Sequence, residues 1–134
     1  GNARRMNNDY KKALQFFRKA EVLYRKIGDR ISYAYTLWAV GTVYKMLGDI
    51  RNASKRFKEA QNLFRKTKDP RGEIYCKLGI GEVDYLTNHK ERAKKIFLSS
   101  ERLAGIYGFR IEKKYAKRLL KEIENNKGLP LNLP

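Results

Sequence analysis

A period of forty residues runs through this chain and constrains its fold more than any other feature. Moved forty residues either way, residues 37–70 meet a similar pattern: Ala13, Ala53 and Ala93 align, as do Phe17, Phe57 and Phe97, and Leu23, Leu63 and Leu103. Gly1, Gly41 and Gly81 keep the same register, and so do the turn pairs Asn8-Asp9, Gly48-Asp49 and Asn88-His89. Self-similarity at one period marks a stacked repeat, whose units bury their apolar faces only against their neighbours. Within a unit the apolar residues recur every three or four positions, as Ala13, Phe17, Ala20 and Tyr24 do, which is the spacing of one helix face. Each unit therefore reads as two helices joined at the turn pair.

Punctuation places the helices. Residues 1–7 read as the tail of a first helix, and Asp9 as the N-cap of a helix over 10–27, its carboxylate accepting from amides that lack an intrahelical partner. Gly28-Asp29 ends that helix. Helices over 31–47 and 50–68 follow, the second capped by Asp49. Pro70 suits a first helical position, where its missing N–H costs nothing. The next helix runs to 87, another covers 90–107, and Gly108 is a stop. The last helix, 110–126, carries Lys121 where its sister helices carry Gly41 and Gly81. It reads as a capping helix, with Ala116, Leu120 and Ile123 packed backward and Lys113, Lys117 and Lys121 facing water. The expected domain spans 1–128, followed by an extended tail at 129–134. Its first repeat is truncated, so the chain reads as a fragment of a longer protein. Ala3, Met6, Ala13 and Phe17 are expected to be undercovered there, an apolar edge that favours self-association.

Leu37-x2-Val40-Gly41-x2-Tyr44, followed by Ala53-x3-Phe57, resembles the tetratricopeptide repeat, a helix–turn–helix unit of about 34 residues. The extra residues lie after Ala60, which resembles the long-repeat branch of that family. The resemblance implies an all-α, right-handed superhelical solenoid with a C-terminal capping helix. It implies a non-catalytic protein–protein interaction module, a scaffold or adaptor, whose first helices line a concave groove holding a partner segment. The groove positions it implies are Tyr35, Trp38, Thr42, Lys45 and Met46, then Tyr75, Leu78, Glu82, Tyr85 and Leu86. Asn2 and Arg5 precede them, and Tyr115, Arg118 and Glu122 continue them. Met46 and Leu86 are expected to pack on the next repeat. For Tyr35, Trp38, Tyr75 and Tyr85, packing between repeats and contact with a partner fit the sequence equally. Of the family's carboxylate clamp for chaperone tails only Asn2 matches; Ala39, Tyr75 and Gly79 fill the other positions. Asparagines that would read a peptide backbone are replaced by Ala39, Thr42, Gly79 and Glu82. The expected ligand is therefore an apolar or aromatic peptide, with a basic residue opposite Glu82.

Charge supplies a second function class. Net charge is +17, from 31 Lys and Arg against 14 Asp and Glu. The second helices hold eighteen of the cations and the two complete first helices four, so the charge lies mostly on the convex back. A solvated face is the expectation. The alternative is a basic solenoid that binds RNA or other polyanions through Lys55, Arg56 and Lys95. Phe16 is the one aromatic among those positions and reads as core edge. Nucleic-acid contact is expected to be nonspecific and confined to low salt.

Little supports catalysis. His89 is the only histidine and Cys76 the only cysteine, so neither a zinc site nor a Cys–His pair can be assembled, and no cofactor is expected. His89 reads as a turn residue with a capping role. Gly79-x-Gly81 lacks a preceding strand and reads as helix packing, and Asp84 reads as part of a local hydrogen bond or salt link rather than a catalytic carboxylate. A lone cysteine fits a reducing compartment, and no apolar run approaches 18 residues, so a cytoplasmic protein without a membrane span is expected.

Overall fold

The structure, a computed structural model, describes residues 2–125, with side chains from residue 7 onward. The expected tail and residue 126 of the capping helix lie outside them, as do the side chains of Asn2, Ala3, Arg5 and Met6. The described residues form six helices and no strand: α1 (Asn2–Ile27), α2 (Arg30–Met46), α3 (Ile50–Lys66), α4 (Pro70–Leu86), α5 (Lys90–Tyr107) and α6 (Arg110–Glu124). The forty-residue period survives in three dimensions. Arg30, Pro70 and Arg110 open α2, α4 and α6, and Ile50 and Lys90 open α3 and α5.

Each helix packs on the next, α2 also touches α4, and α4 touches α6, whereas α1, α3 and α5 make no such backbone approach to one another. The even helices thus gather into one row, and the odd helices splay along the outside. This is a helical-repeat solenoid whose inner surface belongs to α2, α4 and α6.

Local chemistry sets the joints. Asp29, Asp49 and Asp69 accept from the backbone amides of Ser32, Asn52 and Gly72 at 3.0, 3.2 and 3.0 Å, each satisfying one of the orphan donors of a helix start. Gly48 at φ 82° and Asn88 at φ 65° make the sharp turns inside the repeats. Lys68 adopts φ 54°, a left-handed conformation uncommon for a side chain with a Cβ, and α3 ends at Lys66, two residues before the expected end.

One expected turn is absent. α1 is a single helix of 26 residues, so Asp9 stands inside it rather than at its cap. Turning a helix forfeits backbone hydrogen bonds, which close packing of the two arms must offset. At the other turns that packing exists, with Phe57 set against Gly41 and Phe97 against Gly81. The matching contact of Phe17 is not among the described residues, and residues 2–9 contain no glycine or proline to interrupt the helix.

The core follows the alanine and phenylalanine columns: Ala53, Phe57, Ala60, Phe64, Ala93, Phe97 and Ala104 are wholly buried. Gly79-x-Gly81 is indeed packing. A Cβ on Gly79 would lie 2.8 Å from Phe57 Cζ, and one on Gly81 2.5 Å from Phe97 Cε1, so the two glycines let α4 settle between α3 and α5. Cys76 is fully buried beside it, and burial pushes its thiol well above the ordinary range. Ala13 and Phe17 are only half-buried where their equivalents are enclosed. Phe16, expected at the core edge, is exposed, because it lies off the face of α1 that packs on α2. In α6, Ala116 and Leu119 are buried while Leu120 and Ile123 pack behind them; Lys117 and Lys121 face water, and Lys113 is half-buried beside Gly105. Leu119 belongs to the packed face although the sequence reading omitted it.

Candidate functional site on the concave face

The inner surface is held by polar links that run from one even helix to the next. Lys45 Nζ of α2 meets Glu82 Oε2 of α4 at 2.7 Å, and both side chains are nearly inaccessible, 3% and 2% exposed. The other Glu82 oxygen, Oε1, accepts from the Tyr115 hydroxyl of α6 at 2.7 Å. A parallel link joins the Tyr75 hydroxyl to Glu112 Oε1 at 2.8 Å, with Arg71 Nε 3.5 Å from the same oxygen. Tyr35 reaches forward from α2 and donates to Asp69 Oδ2 at 3.1 Å. Hydrogen-bonded and paired in this way, buried carboxylates become fixed anchors rather than liabilities.

These anchors shift the phenols. Burial first, and then the Asp69 charge, raises Tyr35 to about 12. Burial and the bond to Glu112 take Tyr75 to about 12 as well. Burial, followed by the Glu82 charge, pushes Tyr115 higher still. Because folding favours the neutral phenols, the stability they contribute is complete below the unfolded tyrosine value of about 10 and is lost as pH climbs from there through 12. The melting temperature should therefore fall over that interval together with the growth of tyrosinate absorbance. Tyr75→Phe should flatten the fall; an identical pH profile in that variant would show that Tyr75 takes no part.

Of the groove positions implied by the sequence, three are turned inward. Leu78 is in the core shared by α4, α5 and α6. Lys45 and Glu82 satisfy each other, so Glu82 cannot receive a basic residue of a partner, and that expectation is withdrawn. Tyr35 packs edge-on against Phe64 with centroids 4.7 Å apart. Tyr85 packs on the same core as Leu78, and Lys90 Nζ stands 5.8 Å from its ring centroid. Thr42 donates to the Trp38 carbonyl at 3.0 Å. Met46 is half-buried and Leu86 exposed at its helix end.

What remains open is compact. Trp38 and Tyr75 are half-buried with ring centroids 5.4 Å apart. Next to them, Tyr75, Ile111, Lys114, Tyr115 and Arg118 line a depression of about 240 Å³. Ile111 and Lys114 were missed in the sequence. Ile111 lies one helical turn before Tyr115 and Lys114 one turn before Arg118, so the i, i+4 neighbours of two implied groove residues were the available signal.

Residues 1–66, covering α1 to α3, match the family model for the tetratricopeptide repeat. The match supports the tetratricopeptide-repeat family. That family is in general one of protein–protein interaction modules and is typically non-catalytic. Comparison with curated proteins gives no match. The depression lies between α4 and α6.

The back of the repeats is less uniform than its charge suggests. Lys55 and Lys95 are exposed, but Arg56 Nη1 is 4.0 Å from Glu21 and 3.9 Å from Glu59, half-buried between the outer helices α1 and α3. A cleft of about 430 Å³ lies where α3 and α5 splay, lined by Lys58, Gln61, Asn62, Lys77, Ile80 and Ile96 and presenting no aromatic ring. Its Lys77 donates to Ser99 Oγ at 2.8 Å, and burial lowers that amine's proton affinity. His89 makes no side-chain cap; its Nδ1 lies 2.9 Å from Thr87 Oγ1 instead. Asp84 pairs with Arg92 at 3.3 Å, the local link expected for it. Among the described residues no group of three or more His, Cys, Asp or Glu side chains could hold a metal, and no helix is long and apolar enough to cross a membrane.

Proposed function

We propose that this chain is a non-catalytic scaffold or adaptor module that holds a segment of a partner protein on its concave face. The segment places an apolar or aromatic side chain in the depression beside Trp38 and Tyr75. The observation that carries this reading is the depression itself: its floor is Tyr75 and Tyr115, each held by a buried carboxylate on a neighbouring helix. A surface fixed before binding loses little entropy on binding, and tyrosine and tryptophan are the residues that anchor such contacts. Lys114 and Arg118 supply a positive rim, so the segment carries an acidic group next to its apolar anchor, the reverse of the charge expected from Glu82 alone. The forty-residue spacing of the helix starts supports placing the chain in the long-repeat branch. The polyanion alternative rests on charge alone, and the partial engagement of Arg56 weakens it.

Selection of peptides against the protein from a displayed library tests this reading. Recovered peptides should pair an aromatic or large apolar residue with an acidic one, and their binding should change the fluorescence of Trp38, the only tryptophan. Trp38→Ala should cost on the order of 2 kcal/mol of binding, while Lys55→Glu with Lys95→Glu should leave affinity intact. Peptides that bind Trp38→Ala as well as the wild type would overturn the proposal. Retention of partners only without nuclease and only at low salt would favour the polyanion reading.

A further inference from the structure

We propose a second protein-binding surface on the outer side of α1, separate from the concave face, that accepts an acidic amphipathic helix of a partner. α1 packs its backbone on α2 alone among the described helices. Its inner side is occupied: Leu14 is buried, Tyr10 and Phe17 pack with it, Arg18 Nη2 reaches the Tyr44 hydroxyl at 3.4 Å, and Arg25 lies over the Tyr33 ring. Turned away from that side is a stripe formed by Phe16, Leu23 and Ile27, which are 68%, 54% and 63% exposed.

Two features make this stripe a seam rather than a scatter of apolar residues. First, its spacing is that of a coiled-coil face. Phe16, Leu23 and Ile27 take d, d and a positions of a heptad frame whose other a positions, Ala13 and Ala20, are half-buried, Ala13 against the α2-side cluster. Second, Lys12, Lys19 and Lys26 recur every seven residues, all exposed, along one flank, in the g positions of the same heptads. None of these lysines is in an ion pair among the described residues, whereas Arg18 and Arg25 are engaged on the α2 side.

The lysine row is private to α1. Forty residues on, α3 has Asn52 and Glu59 for Lys12 and Lys19, and eighty residues on, α5 has Arg92, Ser99 and Ile106 for the three lysines, whereas the apolar stripe recurs in α5 as Ile96, Leu103 and Tyr107. A lysine row required by stacking alone would recur in both sister helices.

Charge selects the occupant. A coiled-coil partner pairs its flanking residues with this row, and a row of lysines calls for glutamates. A second copy of a chain bearing +17 meets self-repulsion instead. A membrane surface takes up a broad apolar face; here Phe16, Leu23 and Ile27 form a narrow stripe beside the packed α2 side, and Val22, also 68% exposed, stands between Lys19 and Lys26 in the lysine row.

A synthetic helix of about three heptads, with leucine along its seam and glutamate on both flanks, is the probe. The protein should bind it at least tenfold more tightly than the same peptide with lysine flanks. Phe16→Ser with Leu23→Ser should weaken binding at least tenfold while circular dichroism shows the helices retained. Lys12→Glu with Lys19→Glu and Lys26→Glu should reverse the preference and leave the apolar seam intact. Trp38→Ala should change nothing, which separates this surface from the concave one. Equal affinity for both peptides, or indifference to these variants, would overturn the proposal. So would a dimer abolished by Leu23→Ser, which assigns the seam to a second copy. Capture by phosphatidylserine vesicles with the same dependence on Phe16 and Leu23, without discrimination between the peptides, assigns it to a membrane and is equally contrary.

Discussion

Glu82→Ala is expected to destabilise the protein by about 3–5 kcal/mol, because it leaves the buried Lys45 ammonium uncompensated. The change also strips the Tyr115 hydroxyl of its acceptor, and an unmade bond in the interior is itself costly. The pair is not expected to be a large net source of stability, since removing two charges from water offsets much of their attraction. Lys45→Met combined with Glu82→Leu should therefore recover most of the loss, provided Tyr115→Phe is added to remove the orphaned hydroxyl. Denaturant midpoints of the single, double and triple variants measure this directly. Equal destabilisation in all of them would mean that volume, not charge, decides the site. The value of the link is geometric: it sets α2, α4 and α6 in one arrangement and holds the floor of the concave depression in place.

The second large effect belongs to Phe57→Ala, at about 3–5 kcal/mol. Phe57 is wholly enclosed and serves two joints at once, lying against Gly41 of its own repeat and Gly79 of the next. Solenoid stability is carried by such nearest-neighbour interfaces, so the loss loosens α2 and α4 together. Phe17→Ala occupies the same column but should cost less, because Phe17 is only half-buried. Trp38→Ala should likewise cost less stability than Phe57→Ala while costing more binding. If Phe17→Ala proved as damaging as Phe57→Ala, the repeats would not differ in the way their burial indicates.

Much of the architecture was legible in the chain because a repeat writes each structural demand two or three times. The columns of alanine and phenylalanine can be recognised as core, and Gly41, Gly79 and Gly81 as close approaches, since no other residue fits beside a phenylalanine ring at that distance. Asp49 and Pro70 marked helix starts for reasons that are local to the backbone. The turn at Asn8-Asp9 was misread for a complementary reason. Its residues permit a turn without requiring one, and a turn forms only where two arms pack.

The concave site divides along the same line. Sequence periodicity by itself determined the helices, and the family resemblance implied which of them face inward: Tyr35, Trp38, Lys45, Tyr75, Glu82 and Tyr115 all lie on α2, α4 and α6. Neither could determine which of them remain accessible. Lys45 and Glu82 are 37 residues apart in the chain, and nothing local distinguishes a charge that faces a partner from one that faces its opposite across a helix interface. Only the tertiary structure decided that these two neutralise each other in the interior, and that Ile111, Lys114 and Arg118 form the open rim. Helix identity and face follow from short-range periodicity, whereas exposure depends on how distant helices meet.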